Sequence, residues 1–129
     1  MSRVAVALLV AVTALAGCGE DGGDEAAFCD EVAALREDDP FSDLEVATPA
    51  EMREAFDALA GGADRLAAAA PGDVEVQAER YRAAVDAVRD ELAGAGYDPR
   101  RLDGRRYARA VEEYTAAAGS LDNAADARC

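Results

Sequence analysis

Thr48-Pro49-Ala50-Glu51-Met52-Arg53-Glu54-Ala55-Phe56-Asp57-Ala58-Leu59-Ala60-Gly61-Gly62-Ala63-Asp64-Arg65-Leu66-Ala67-Ala68-Ala69-Ala70 is the stretch whose reading decides the fold. Thr48 can cap a helix, Pro49 is preset for its first position, and Glu51 stands where a capping box needs a carboxylate. Met52, Phe56, Leu59, Ala63, Leu66 and Ala70 then recur at spacings of 4-3-4-3-4. That rhythm keeps one apolar seam on a helix turned toward partner helices. Pro71-Gly72 stops it. Gly61-Gly62 interrupts the seam, each Gly costing ~1 kcal/mol relative to Ala, and marks either a kink or a close helix approach.

The rhythm repeats on the C-terminal side. Val74, Ala78, Tyr81, Val85, Val88 and Leu92 form a second seam, expected to start at Asp73 as N-cap and to stop at Gly94 and Gly96. Tyr107, Val111, Tyr114, Ala118, Leu121 and Ala125 form a third, on a helix expected after Asp98-Pro99 and potentially broken at Gly104. On the N-terminal side, Glu25 to about Glu37 places Phe28, Val32 and Leu35 on one face before Pro40. No stretch alternates with period two. Four amphipathic segments with short connections predict an all-α, up-down-up-down four-helix bundle over residues 26–129. The first helix is about 13 residues, ~20 Å against ~32 Å for the others. The loop Phe41 to Ala47, with Phe41, Leu44 and Val46, is expected to cover the groove that it leaves.

Ahead of the bundle the sequence changes character. Met1-Ser2-Arg3 carries one positive charge, and Val4 to Ala14 is apolar except for Thr13. Eleven residues are too few to span a bilayer, which needs ~20, but they suit the h-region of an export signal. Leu15-Ala16-Gly17-Cys18 resembles the lipobox of bacterial lipoproteins: an aliphatic residue, two small residues and a Cys. The resemblance implies export, acylation of the Cys18 thiol and cleavage before it, so that residues 1–17 form a lipoprotein signal peptide. The other reading is a plain secretory signal cleaved after Ala14-Leu15-Ala16, with Cys18 incidental. Residues 18–25 would then be the lipidated Cys with an acidic, Gly-rich tether, since Gly19 to Glu25 offers nothing to bury. The expected location is the extracytoplasmic face of the cell membrane, and the membrane itself is a partner through the lipid.

Cys29 and Cys129 fall at one end of such a bundle. In an exported domain they are expected to form a disulfide, the alternative being two buried thiols. Closing so long a loop is worth ~4–5 kcal/mol in the chain-entropy model.

Composition limits what the domain does. Of the 129 residues 51% are hydrophobic, but 33 are Ala. All 13 basic residues are Arg against 27 acids, for a net charge of −14, or −15 once Arg3 leaves with the signal. No His is present, so a Ser–His–Asp or Cys–His nucleophile, a His zinc ligand and a Glu-x-x-His di-iron site have no parts. Lys is absent too, removing Schiff-base and P-loop chemistry. No cofactor, metal or enzymatic activity is expected, and a chain this acidic does not seek nucleic acid.

What remains is one contrast of sign at the membrane-distal end. Glu37, Asp38, Asp39, Asp43 and Glu45 lie on the loop after the first segment, and Arg100, Arg101, Arg105, Arg106 and Arg109 before or within the last. The two groups either pair with each other or leave the arginines to a partner, for which Arg100, Arg101 and Arg105 are the candidate contacts. Phe41 and Tyr97, off every seam, either plug the core together or form an aromatic anchor beside them. Overall the chain resembles the small Ala-rich helical lipoproteins of actinobacteria, a resemblance of composition that brings no functional residues. The expected function is a binding or interaction module whose partner is an envelope protein or the cell wall. The alternative is a small-ligand carrier or sensor with a pocket inside the bundle.

Overall fold

The computed structural model describes residues 23–42 and 47–129. The signal segment, the lipobox with Cys18, most of the tether, and Asp43, Leu44, Glu45 and Val46 lie outside them. Four helices follow in order: α1 (Glu25–Glu37), α2 (Pro49–Ala69), α3 (Glu75–Gly94) and α4 (Gly104–Asp126), with a single 3₁₀ turn at Pro99–Arg101 between the last two. They pack as an antiparallel bundle in chain order, α1 on α2, α2 on α3 and α3 on α4, while α1 meets α4 only sparsely. The protein is an all-helical bundle, closed by the Cys29–Cys129 disulfide with Cα atoms 5.7 Å apart.

Local chemistry fixes the helix ends. Thr48 accepts from the Glu51 amide while Glu51 Oε2 accepts from the Thr48 amide at 2.8 Å, a reciprocal capping box that opens α2. Asp24 caps α1 and Asp103 caps α4. α3 departs from the sequence expectation: it begins at Glu75 with no side-chain cap, because the Asp73 carboxylate is drawn instead to Arg128. α4 also starts later than Asp98-Pro99 suggests, since Pro99–Arg101 winds as a 3₁₀ turn capped by Asp98. At the end of α3, the Gly96 amide bonds to Ala93 and the Tyr97 amide to Leu92 at 2.8 Å, a Schellman closure. Gly96 stands there at φ +61° and Tyr97 itself at +57°.

Both long seams are buried as read. Met52, Phe56, Leu59, Ala63 and Leu66 of α2, with Ala70 at its C-cap, share one core with Val74, Ala78, Tyr81, Val85, Val88 and Leu92. α2 runs unbroken through Gly61-Gly62, and the reason is contact. A Cβ on Gly62 would stand 3.1 Å from Leu35 Cδ2, so the glycine lets α1 seat its leucine against the α2 backbone.

α4 is turned relative to its expected seam. Ala110, Ala117, Leu121 and Ala125 are buried, whereas Tyr107, Val111, Tyr114 and Ala118 are only partly so. These four lie toward the side where α1 is too short to cover them. Phe41 helps to fill that side, its ring 5.4 Å from Phe56 and 4.9 Å from Tyr114.

The end carrying Cys29 and Cys129 is clamped several times. The Asp24 amide donates to Ala69 at 2.9 Å, and Arg128 joins Asp73 in the α2–α3 turn to Glu25 at the start of α1. Higher up, Arg36 Nε and Nη2 donate to Asp122 and Asp126, each at 2.9 Å. Those two carboxylates raise the Arg36 pKa, as Asp73 foremost raises that of Arg128. The Arg36 pairs are solvent-facing and weak, whereas the Arg128 side chain is largely covered, with its Nε buried between Glu25 and Asp73.

Candidate interaction surfaces

The α3–α4 connection and the first two turns of α4 bring Arg100, Arg101, Arg105, Arg106 and Arg109 to the end opposite the disulfide, all of them exposed. Arginines here oppose the positive end of the α4 dipole. Asp98 and Asp103 offset this from within: Asp98 accepts from the Arg100 amide, Asp103 from the Arg105 and Arg106 amides. Arg106 turns toward α3, with Nε 3.4 Å from Glu91 and 3.9 Å from Asp103. Among the described residues no ion pair forms for Arg100, Arg101, Arg105 or Arg109, and none joins the Arg cluster to Glu37, Asp38 or Asp39. The pairing of acidic loop with Arg cluster is therefore not seen there, while Asp43 and Glu45 fall outside the description. Asp39 stays exposed, with one oxygen accepting from the Phe41 amide of its own loop at 3.0 Å.

Phe41 and Tyr97 do not form a joint patch. Phe41 belongs to the flank between α1 and α4, packed on Phe56 and Tyr114. Tyr97 is 6% exposed in the core, with the Arg53 guanidinium 5.3 Å from its ring centre. Its burial takes the Tyr97 ring out of reach of a surface contact. The left-handed backbone that turns it inward follows Gly96, a signal visible in Gly94-Ala95-Gly96 only once the Schellman bonds are known.

Several hollows mark the surface of the described residues. One of about 660 Å³ opens between the start of α2 and the α3–α4 connection, over Met52, Leu92, Leu102 and Tyr107 with Arg100 at its edge. A trough of about 490 Å³ runs between α1 and α2, a feature the sequence reading missed. Its floor is Ala34, Leu35, Ala55, Ala58 and Leu59, and its rim is Glu31, Asp38, Asp39, Glu51 and Glu54, with Arg65 as the sole base among the described residues. Arg65 Nε donates to Glu31 Oε1 at 3.1 Å. The signal was present in the period of α2: Glu51, Glu54, Ala55, Ala58 and Gly62 share one face beside the seam. Two smaller hollows of about 400 and 250 Å³ lie along the α1–α4 flank, both touching Leu35 and Tyr114.

Between Phe56, Tyr81 and Tyr114 the rings pack on one another, and the hollow of about 250 Å³ reaches Tyr81 and Tyr114 from the α1–α4 flank. Phe41 bridges Phe56 to Tyr114, and Tyr114 stands 5.7 Å from Tyr81, ring to ring. Burial first, then the Tyr114 hydroxyl, pushes the Tyr81 phenol far up; burial also raises Tyr107 and Tyr114. Among the described residues no group of three or more His, Cys, Asp or Glu is placed to hold a metal ion, and no helix is long and apolar enough to cross a membrane.

The arrangement defines a disulfide-closed helical bundle with a basic end and an acidic trough. Compared with protein-family models, curated proteins and solved structures, the chain matches none.

Proposed function

We propose that the protein is a lipoprotein, held on the extracytoplasmic face of the cell membrane through Cys18, that works by binding rather than catalysis. The proposal takes its anchor from Leu15-Ala16-Gly17-Cys18. It takes its working surface from one observation: Arg100, Arg101, Arg105 and Arg109 are exposed and without an ion pair among the described residues, although the chain carries 27 acids. Arginine offers carboxylates and phosphates two parallel hydrogen bonds. The end opposite the disulfide would thus face an anionic partner in the envelope. A ligand carried inside the bundle has less support, because the aromatic interior is packed ring on ring.

Two measurements test this. Metabolic labelling with an acyl-chain probe should mark the wild-type protein and leave Cys18→Ser unmarked; labelling of both would remove the anchor. Crosslinking in intact cells followed by mass spectrometry should return partners whose yield falls about tenfold in the triple variant R100E/R101E/R105E. Unchanged yield would make the Arg cluster a structural feature alone.

A further inference from the structure

We infer that the partner met by the Arg-bearing end is a second copy of this chain, received in its α1–α2 trough. The inference rests on the interaction reading above and names its partner.

The trough has the chemistry of an arginine receptor. An Arg side chain is an apolar stem ending in a planar cation, and it covers small apolar surface while its head stays polar. The floor supplied by Ala34, Ala55, Ala58 and Leu59 suits the stem. Asp38, Asp39 and Glu54 on the rim suit the head, since carboxylates accept the guanidinium fork in pairs. Arg65 does not fill this role from within, being held at one end by Glu31. From Glu51 to Arg65 the α2 wall runs fourteen residues, ~21 Å, long enough to receive several side chains rather than one.

The complementary surface is on the same molecule. Arg105 and Arg109 are four residues apart and so share one stripe of α4, with Arg100 and Arg101 just ahead of them. Because the helices pack in the order α1, α2, α3, α4, the trough on α1–α2 and the arginines on α3–α4 occupy opposite flanks. Glu51 and Glu54 lie in the first two turns of α2, and Arg105 and Arg109 in the first two of α4. Those helix starts are at the same end of the bundle, so the two surfaces face outward at similar height. Copies standing side by side on one membrane would present the basic flank of one to the acidic flank of the next. Such a contact is head-to-tail, repeating into a ring or a row rather than closing as a two-fold dimer.

The net charge of −14 opposes any meeting of two copies. At physiological ionic strength, charges beyond ~8 Å are largely screened, so the local contact of opposite sign decides.

Co-expression of the full chain under two tags, with capture through one tag after mild detergent extraction, tests the contact. Wild type should capture wild type, and 1 M NaCl should release it. R101E/R105E/R109E should lose self-capture at least tenfold, and so should D38R/D39R/E54R. The two variants expressed together should capture each other, because both contacts are again of opposite sign. Helical circular dichroism of each variant reports that the fold is kept. Capture that survives both triple variants, or mutual capture that fails while each variant is folded, overturns the proposal. Arg-dependent crosslinks to other envelope components without self-capture would overturn it too, while leaving the interaction reading in place. The Cys18→Ser chain should still self-capture, more weakly, since the shared membrane only raises effective concentration.

Discussion

The α3–α4 flank and the α1–α4 flank solve the same problem differently. α3 and α4 are 20 and 23 residues long and lie together over most of that length, burying Tyr81, Val85 and Val88 on one helix and Ala110, Ala117 and Leu121 on the other. α1 is 13 residues long, buries only Phe28 and Val32, and meets α4 sparsely. Here the ties are a disulfide and the Arg36 pairs with Asp122 and Asp126. The covalent link thus stands where apolar packing is thin, while ion pairs occur on both flanks, Arg106 with Glu91 joining α4 to α3. α1 behaves as a strap fastened over a three-helix core, and Phe41 is tucked in beyond its end.

The strongest way to break this contrast is to undo the strap. The cysteines are 100 residues apart, so Cys29→Ser with Cys129→Ser should lower the unfolding free energy by about 4 to 5 kcal/mol. Hydrogen exchange should then quicken in α1 before it does in α3. Loss of protection in both helices together would mean that the two flanks are one cooperative unit.

A smaller perturbation acts through the two adjacent glycines. Gly62→Leu should push α1 off α2 by crowding Leu35 and cost about 1–3 kcal/mol. Gly61→Ala should stabilise by about 0.5–1 kcal/mol, because its Cβ meets only Arg65 Nη1, at 3.5 Å. Denaturation midpoints of the pair of variants are the measurement, and opposite signs are the expected result.

A further effect is alkaline. In the unfolded chain Tyr81 ionises near its usual value of about 10, whereas burial keeps it protonated in the fold. Above about pH 10 the unfolded state therefore binds fewer protons, and stability falls with rising pH by up to about 1.4 kcal/mol per unit. Midpoints measured from pH 9 to 11 should decline, and Tyr81→Phe should flatten the decline. Absorbance titration of the native protein sharpens the contrast of flanks, because half-covered Tyr107 should ionise before Tyr81.

The seams of α2 and α3 were legible because bulky residues stand at nearly every inward position. α4 was harder to read. Leu121 and Ala125 are buried as read, but the other buried positions are Ala110 and Ala117, and a methyl group weighs the same in a pattern whether it faces in or out. The larger Tyr107, Val111 and Tyr114 drew the predicted face toward a neighbour that is too short to cover it. The missing cap at Asp73 has a similar origin: its competitor, Arg128, lies 55 residues away in sequence. Of the surfaces, the Arg cluster was plain in one ten-residue run. The α1–α2 trough was not, since its floor is alanine and its rim comes from three separate segments, one of them the Asp38–Asp39 turn.

The Cys29–Cys129 bond also sets how mechanical load travels. A pull on the chain just ahead of α1 enters the fold at Cys29 and passes at once into the end of α4, so two helices resist it together. A pull between that point and Cys129 bypasses the core, because the sulfur bridge bears it. The bundle can be tugged from its root without being unravelled from that end.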